Sequence, residues 1–143
     1  MTAKEYLTQV RKLRILIEQR QKELDRLADQ KLGAVSGIDY GKIPVQGGRR
    51  VGASFEQAAV QCLDLREEID GLIRDYTHLR HKIIGQIQQL DRPEYLQVLY
   101  KRYVEEKHWE EISVEMGYSC DHIRHLHGYA LREFSKSMKD NTQ

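Results

Sequence analysis

Apolar side chains recur at heptad spacing through most of this chain, and the recurrence marks out successive helices. Ala3, Tyr6, Val10, Leu13, Ile17, Leu24 and Leu27 line one face of a first helix, predicted from about residue 3 to 30, with Arg20 in one core position. Thr2-x-x-Glu5 opens it as a capping box, in which side chain and backbone satisfy each other's free N–H groups. The second repeat is stronger. Phe55, Cys62, Ile69, Tyr76, Ile83 and Leu90 occupy one core position, and Ala58, Leu65, Leu72 and Leu79 the other, with Gln86 as the polar exception. Ser54-x-x-Gln57 is its start signal. Five unbroken heptads predict coiled-coil packing. The seam can lie between the two helices of one chain or between two copies. Short connections favour antiparallel neighbours within a chain, which leaves Leu7, Leu16, Leu63 and Ile73 as a surface for a homodimer. Arg20 and Gln86 then set register rather than do chemistry.

The pattern shortens after residue 90. Asp91-x-Pro93-Glu94 combines a cap, a proline in the first turn and an acid near the positive helix end. Tyr95, Leu96, Val98, Leu99, Tyr103 and Val104 form the apolar face that follows. Two short helices then flank a tight turn. Ile112 and Met116 face inward from the first, and Gly117 sits where the turn needs positive φ. Ser119 can accept from the free N–H groups of the next helix, which Ile123, Leu126, Ala130, Leu131 and Phe134 bury. The expected fold is all-α: a long antiparallel helical hairpin over residues 1–90, then a three-helix unit over 91–138 containing a helix-turn-helix, then a tail over 139–143. Such a unit lays its second helix in the major groove of DNA. Cys120, Asp121, His122, Arg124 and His125 point outward near its start, small or polar as a base-reading surface requires.

Composition narrows the choice. Charged residues make up 31% of the 143 residues and there are only two prolines, which suits long helices. No apolar run approaches the roughly 20 residues a membrane span needs, and MTAKEYL lacks the apolar core of a secretion signal. Two cysteines, Cys62 and Cys120, are too few for a disulfide scaffold. A cytoplasmic protein with no membrane partner is the expectation.

Net charge of +1 conceals a gradient. Residues 1–31 carry eight basic and five acidic side chains, residues 32–90 seven of each, and residues 91–136 seven basic and nine acidic. Non-specific DNA affinity comes from phosphate neutralisation, so an acidic balance in 91–136 argues against a strong solitary DNA binder. Within that stretch the signs separate. Glu105, Glu106, Glu110, Glu111 and Glu115 crowd the first helix of the pair, whereas Arg124, Arg132 and Lys136, with three histidines, lie on the second.

Residues 32–53 form a loop with six glycines and Pro44. Lys42, Arg49 and Arg50 can touch a phosphate backbone there, but the GxxxxGK[ST] signature is missing, and a solvated connector is the simpler account. Cys120-x-His122-x-x-His125-x-His127 gathers metal-ligand types; structural zinc needs four ligands at recurring spacing, and no second cluster completes the set. No metal or cofactor is expected. His78 and His81 flank a heptad. No nucleophile–base pair or carboxylate pair stands out, so no enzyme is expected. Trp109 is a core plug, and Tyr100, Tyr103, Tyr118 and Tyr129 are ordinary packing residues on this account.

The stretch WEEISVEMGYSCDHIRHLHGYALREF resembles region 4 of the bacterial sigma-70 class, with the pattern T-L-E-E-I-x-x-x-L-G-x-S-R-E-R-V-R-Q-I-E-x-x-A-L-R-K-L, and aligns with it without a gap. Trp109 to Ile112 fall on L-E-E-I, Gly117 and Ser119 on the turn, Asp121 to Arg124 on E-R-V-R, and Ala130 to Phe134 on A-L-R-K-L. The whole chain, from M-T-A-K-E-Y-L through the helical hairpin to this unit, is similar to a small phage and prophage protein family of Gram-positive bacteria. ArpU-type phage transcriptional regulators share its C-terminal part. The resemblance implies promoter contacts from Cys120, Asp121, His122, Arg124 and His125, with Arg124 the best candidate for a bidentate guanine contact, and host RNA polymerase as a partner beside double-stranded DNA; Ser119 and Arg132 complete the candidate DNA-binding set. Cys120 stands for the family's arginine and His125 for its glutamine, so the standard promoter element is not the expected target. His108 stands where the family often has a capping Thr or Ser.

A phage-type transcriptional regulator is therefore the expectation. Its rivals are a small-terminase-like DNA-packaging recognition subunit, which would assemble as a large ring, and a protein-only adaptor that binds polymerase or another regulator.

Overall fold

The computed structural model describes the backbone of residues 1–33 and 48–141, and the side chains of residues 1–30 and 54–140. Among these residues the fold is all-α. Helix α1 is Ala3–Leu27, followed by a π-helical turn, Ala28–Gly33. Helix α2 is Gly48–Gln88, α3 is Pro93–Leu99, α4 is Trp109–Met116 and α5 is Cys120–Asn141. A second π-helical turn, Tyr100–Val104, continues α3. No described helix is long and apolar enough to cross a membrane.

The capping box at the N-terminus forms as its residue types require. The Thr2 N–H donates to Glu5 Oε2 at 2.9 Å, and the Glu5 N–H to Thr2 Oγ1 at 3.1 Å. That hydrogen bond from Thr2 holds the Glu5 carboxyl below its ordinary pKa. The other two start signals act differently. The backbone of α2 is already helical at Gly48, so Ser54 lies inside the helix and caps nothing. Residues 32–33 and 48–53 of the expected loop are thus helical, and residues 34–47 lie outside the described residues. Lys42 lies outside the described residues, as do the side chains of Arg49 and Arg50, whose backbone belongs to α2. At α3 the cap is Arg92, extended at φ −90° and ψ 122°, not Asp91. Pro93 forces this, because its ring drives the preceding residue out of the helical region.

The chain divides into two compact units, Met1–Arg14 with Asp75–Gln143, and Ile15–Arg74. The first holds a core drawn from every helix. Ala3, Leu7 and Val10 of α1 and Ile83 and Ile87 of α2 meet Val98 and Leu99 of α3, Ile112 of α4, and Ile123, Leu126, Ala130 and Phe134 of α5. The helix-turn-helix thus shares its core with parts of α1 and α2 as well as with α3, where a three-helix core was expected. Leu7, expected on a dimer surface, is fully buried here. The Tyr6 ring lies 6.2 Å from that of Phe134, and its hydroxyl donates to Gln86 Oε1 at 2.7 Å. The polar exception in the heptad repeat therefore satisfies a partly buried tyrosine.

The second unit is thinner. Leu24, Cys62, Leu65 and Ile69 form its buried cluster, with Leu27 and Ala28 packed against them. Arg20 reaches Glu68 at 3.3 Å and Glu23 at 3.4 Å. Leu16, Leu63 and Ile73 stay exposed.

Candidate nucleic-acid interface

The start of α4 is poorly capped by side chains. Its N-cap His108 is extended and makes no side-chain cap bond, although its carbonyl accepts from the Ile112 N–H at 3.1 Å. The end is well made. Gly117 takes φ 72° and ψ 28°, a left-handed conformation that disfavours any Cβ. The Gly117 and Tyr118 N–H groups both donate to the Ser113 carbonyl, at 3.0 and 3.1 Å, and the Ser113 hydroxyl donates back to the Tyr118 carbonyl. Helix α5 then begins under a side-chain cap, with Ser119 Oγ accepting from the His122 N–H at 3.1 Å. The first acid of α5, Asp121, sits where the helix dipole favours negative charge.

This local chemistry sorts the faces of α5. Ile123, Leu126, Ala130 and Phe134 are buried. Ser119, Cys120, Asp121, His122, Arg124, His125 and Arg132 are all exposed. The first six occupy the cap and first two turns, and Arg132 lies two turns further along the same helix. His122 is braced sideways, its ring 4.5 Å from that of Tyr118.

His127, the third histidine of the cluster, faces inward. Its Nε2 shares a 2.7 Å hydrogen bond with the Tyr103 hydroxyl, and its ring stacks on Tyr103 and meets the edge of Trp109 at 4.7 Å. Burial, then the charges of Lys4 and Arg102, push its pKa down to about 4, so it is neutral at pH 7. Burial pushes the Tyr103 hydroxyl up to about 12. Tyr103 is thus more than packing: it satisfies a buried imidazole. Trp109 packs against the core as expected and also carries the Arg102 guanidinium 4.3 Å from its ring centroid.

The acids of the region are largely matched. Lys107 contacts Glu115 at 2.5 Å and Glu105 at 2.9 Å, and Lys101 contacts Glu115 at 3.3 Å. These bonds, that to Glu115 first, raise the Lys107 pKa, and the bond from Lys107 lowers that of Glu115. Arg14 grips both oxygens of Glu106, at 2.5 and 2.8 Å. Glu110 and Glu111 stay exposed. The compact unit also differs in charge from residues 91–136 alone: with residues 1–14, 75–90 and 137–143 it holds fourteen basic and twelve acidic side chains, a net +2. The acidic balance that counted against DNA contact belongs to a sequence window, not to the folded unit.

Sequence patterns did not point to the basic group formed by Lys4, Arg11, Arg14 and Arg102, which shares a cavity with Trp109. Lys4 and Arg11 stand seven residues apart on one face of α1, which is a visible signal, but their meeting with Arg102 is a tertiary event. Comparison with family models, with curated proteins and with solved structures yields no match.

Proposed function

We propose that this chain is a non-catalytic, phage-type transcriptional regulator that binds duplex DNA through α5. One observation carries the reading: the side chains from Ser119 to His125 that the helix-turn-helix pattern assigns to base edges are exposed, on a helix anchored by the opposite face. A major groove about 12 Å wide admits such a helix. The turn geometry at Gly117 and Ser119 supports the same reading, as does the positive balance of the unit. Arg124 is the guanine-contacting candidate, with His122 and His125 beside it and Arg132 toward the phosphates.

Arg124→Ala tests it. We expect sequence-specific affinity to fall by about 1–3 kcal/mol with circular-dichroism helix content unchanged. If the preference for genomic sites over random duplex is the same before and after the change, the base-reading role is lost.

A protein-only adaptor is the second reading, favoured by Val114, which is 81% exposed on α4 between exposed Glu111 and the Lys-bound Glu115. Filter binding at low salt, with and without RNA polymerase, separates the two. DNA retention that appears only with polymerase supports the adaptor. A homodimer through Leu16, Leu63 and Ile73 belongs to the proposal. Leu63→Glu should then convert a dimer mass to a monomer mass in light scattering.

A further inference from the structure

The cavity lined by Lys4, Arg11, Arg14, Arg102, Glu106 and Trp109 is not used by the DNA-reading face. Its volume is about 530 Å³, within the roughly 300–1,000 Å³ of small-molecule sites. Four cationic side chains and one carboxylate line it. Arg14 occupies both oxygens of that carboxylate, and Arg11 stands off at 3.9 Å. Arg102 donates to the Lys107 carbonyl at 3.0 Å and lies over Trp109, which leaves its charge without an acid in the cavity. Like charges gathered around a partly enclosed space repel one another and concentrate anions.

We propose that this cavity binds a small phosphorylated compound. The excess of three positive charges exceeds what a monocarboxylate can neutralise, whereas a phosphate group carries about −1.5 to −2 at pH 7 and matches the arginine fork. The space exceeds what a lone phosphate ion fills, so the ligand is larger, a phosphoanhydride or a phosphate ester. Its arrival competes with Glu106 for Arg11 and Arg14. Glu106 sits at φ 56°, in the left-handed region, at the turn leading into α4. Loosening its two arginines frees that turn, so the site is placed to bias the helix-turn-helix. The inference does not rest on DNA binding.

Trp109 lines the cavity and is the only tryptophan of the chain, so its fluorescence reports occupancy directly. The full-length protein is titrated with pyrophosphate at constant ionic strength, with sodium chloride and a short random duplex as parallel arms. A saturable change with pyrophosphate is expected, at least tenfold weaker in the exposed double variant Lys4→Gln/Arg11→Gln. It should be unaltered in Arg124→Ala, which tests DNA reading alone. In NMR, the His127 ring should titrate at higher pH when pyrophosphate is bound, because the anion offsets Lys4 and Arg102. The proposal is overturned by the absence of saturation, by an equal response to chloride, by a response to duplex only, or by an undiminished response in a folded double variant.

Discussion

The two compact units contain stretches of the same two helices, and similar heptads, yet they bury them very differently. Around Ile83 and Ile87 the α2 repeat meets α1, α3, α4 and α5, and the side chains there are fully enclosed. Around Cys62 and Leu65 it has, among the described residues, only a small cluster with Leu24 and Leu27 of α1 and Ala28 of the turn that follows, and Val60, Leu63 and Ile73 lie open. A heptad pattern states which face seeks cover. How much cover it finds depends on what the rest of the chain brings to it.

The sharpest break of this contrast is truncation in each unit. Phe134→Ala should cost about 3–5 kcal/mol, because a fully buried ring leaves a cavity among helices that cannot collapse independently. Leu65→Ala should cost nearer 2 kcal/mol, the low end for buried leucine, because its rim can relax. Denaturant unfolding of both variants checks this, and equal losses would mean that the second unit is as tightly packed as the first.

The next effect depends on pH. An unfolded His127 takes a proton near 6.5, whereas the folded one resists until about 4. Between these values the unfolded state binds more protons, so stability is full above about 6.5 and falls as the pH drops toward 4. The loss is on the order of 3 kcal/mol by pH 4. His127→Gln should flatten this part of the stability–pH curve, and the second unit has no equivalent buried histidine among its described residues. An unchanged slope in that variant would place the acid sensitivity elsewhere.

Ser119→Ala is the mildest. Loss of the cap on α5 should cost about 1 kcal/mol, seen as faster amide exchange at His122 without change in the second unit. The same substitution would test whether the exposed face of α5 keeps its geometry when its first turn loosens.

Much of the first unit was legible in the chain because its signals are local. A glycine at 117, a serine at 119 and apolar residues at 123, 126, 130 and 134 each need only their own helix or turn to act. Start signals were legible only where nothing upstream competed. Thr2 caps α1, but Ser54 has six helical residues before it, and Pro93 moved the α3 cap from Asp91 to Arg92.

By itself, then, the sequence determined an all-α chain, the turn at Gly117 and the two faces of α5, since periodicity and backbone preference act between residues a few positions apart. Tertiary structure alone decided that Leu7 is core, that His127 is a neutral buried ring on Tyr103, and that residues 1–14 make an acidic window part of a basic unit. It also brought Lys4 and Arg11 to Arg102. Such outcomes follow from burial and Coulomb interactions between groups distant in the chain, and no spacing along one helix encodes which partner the fold will deliver.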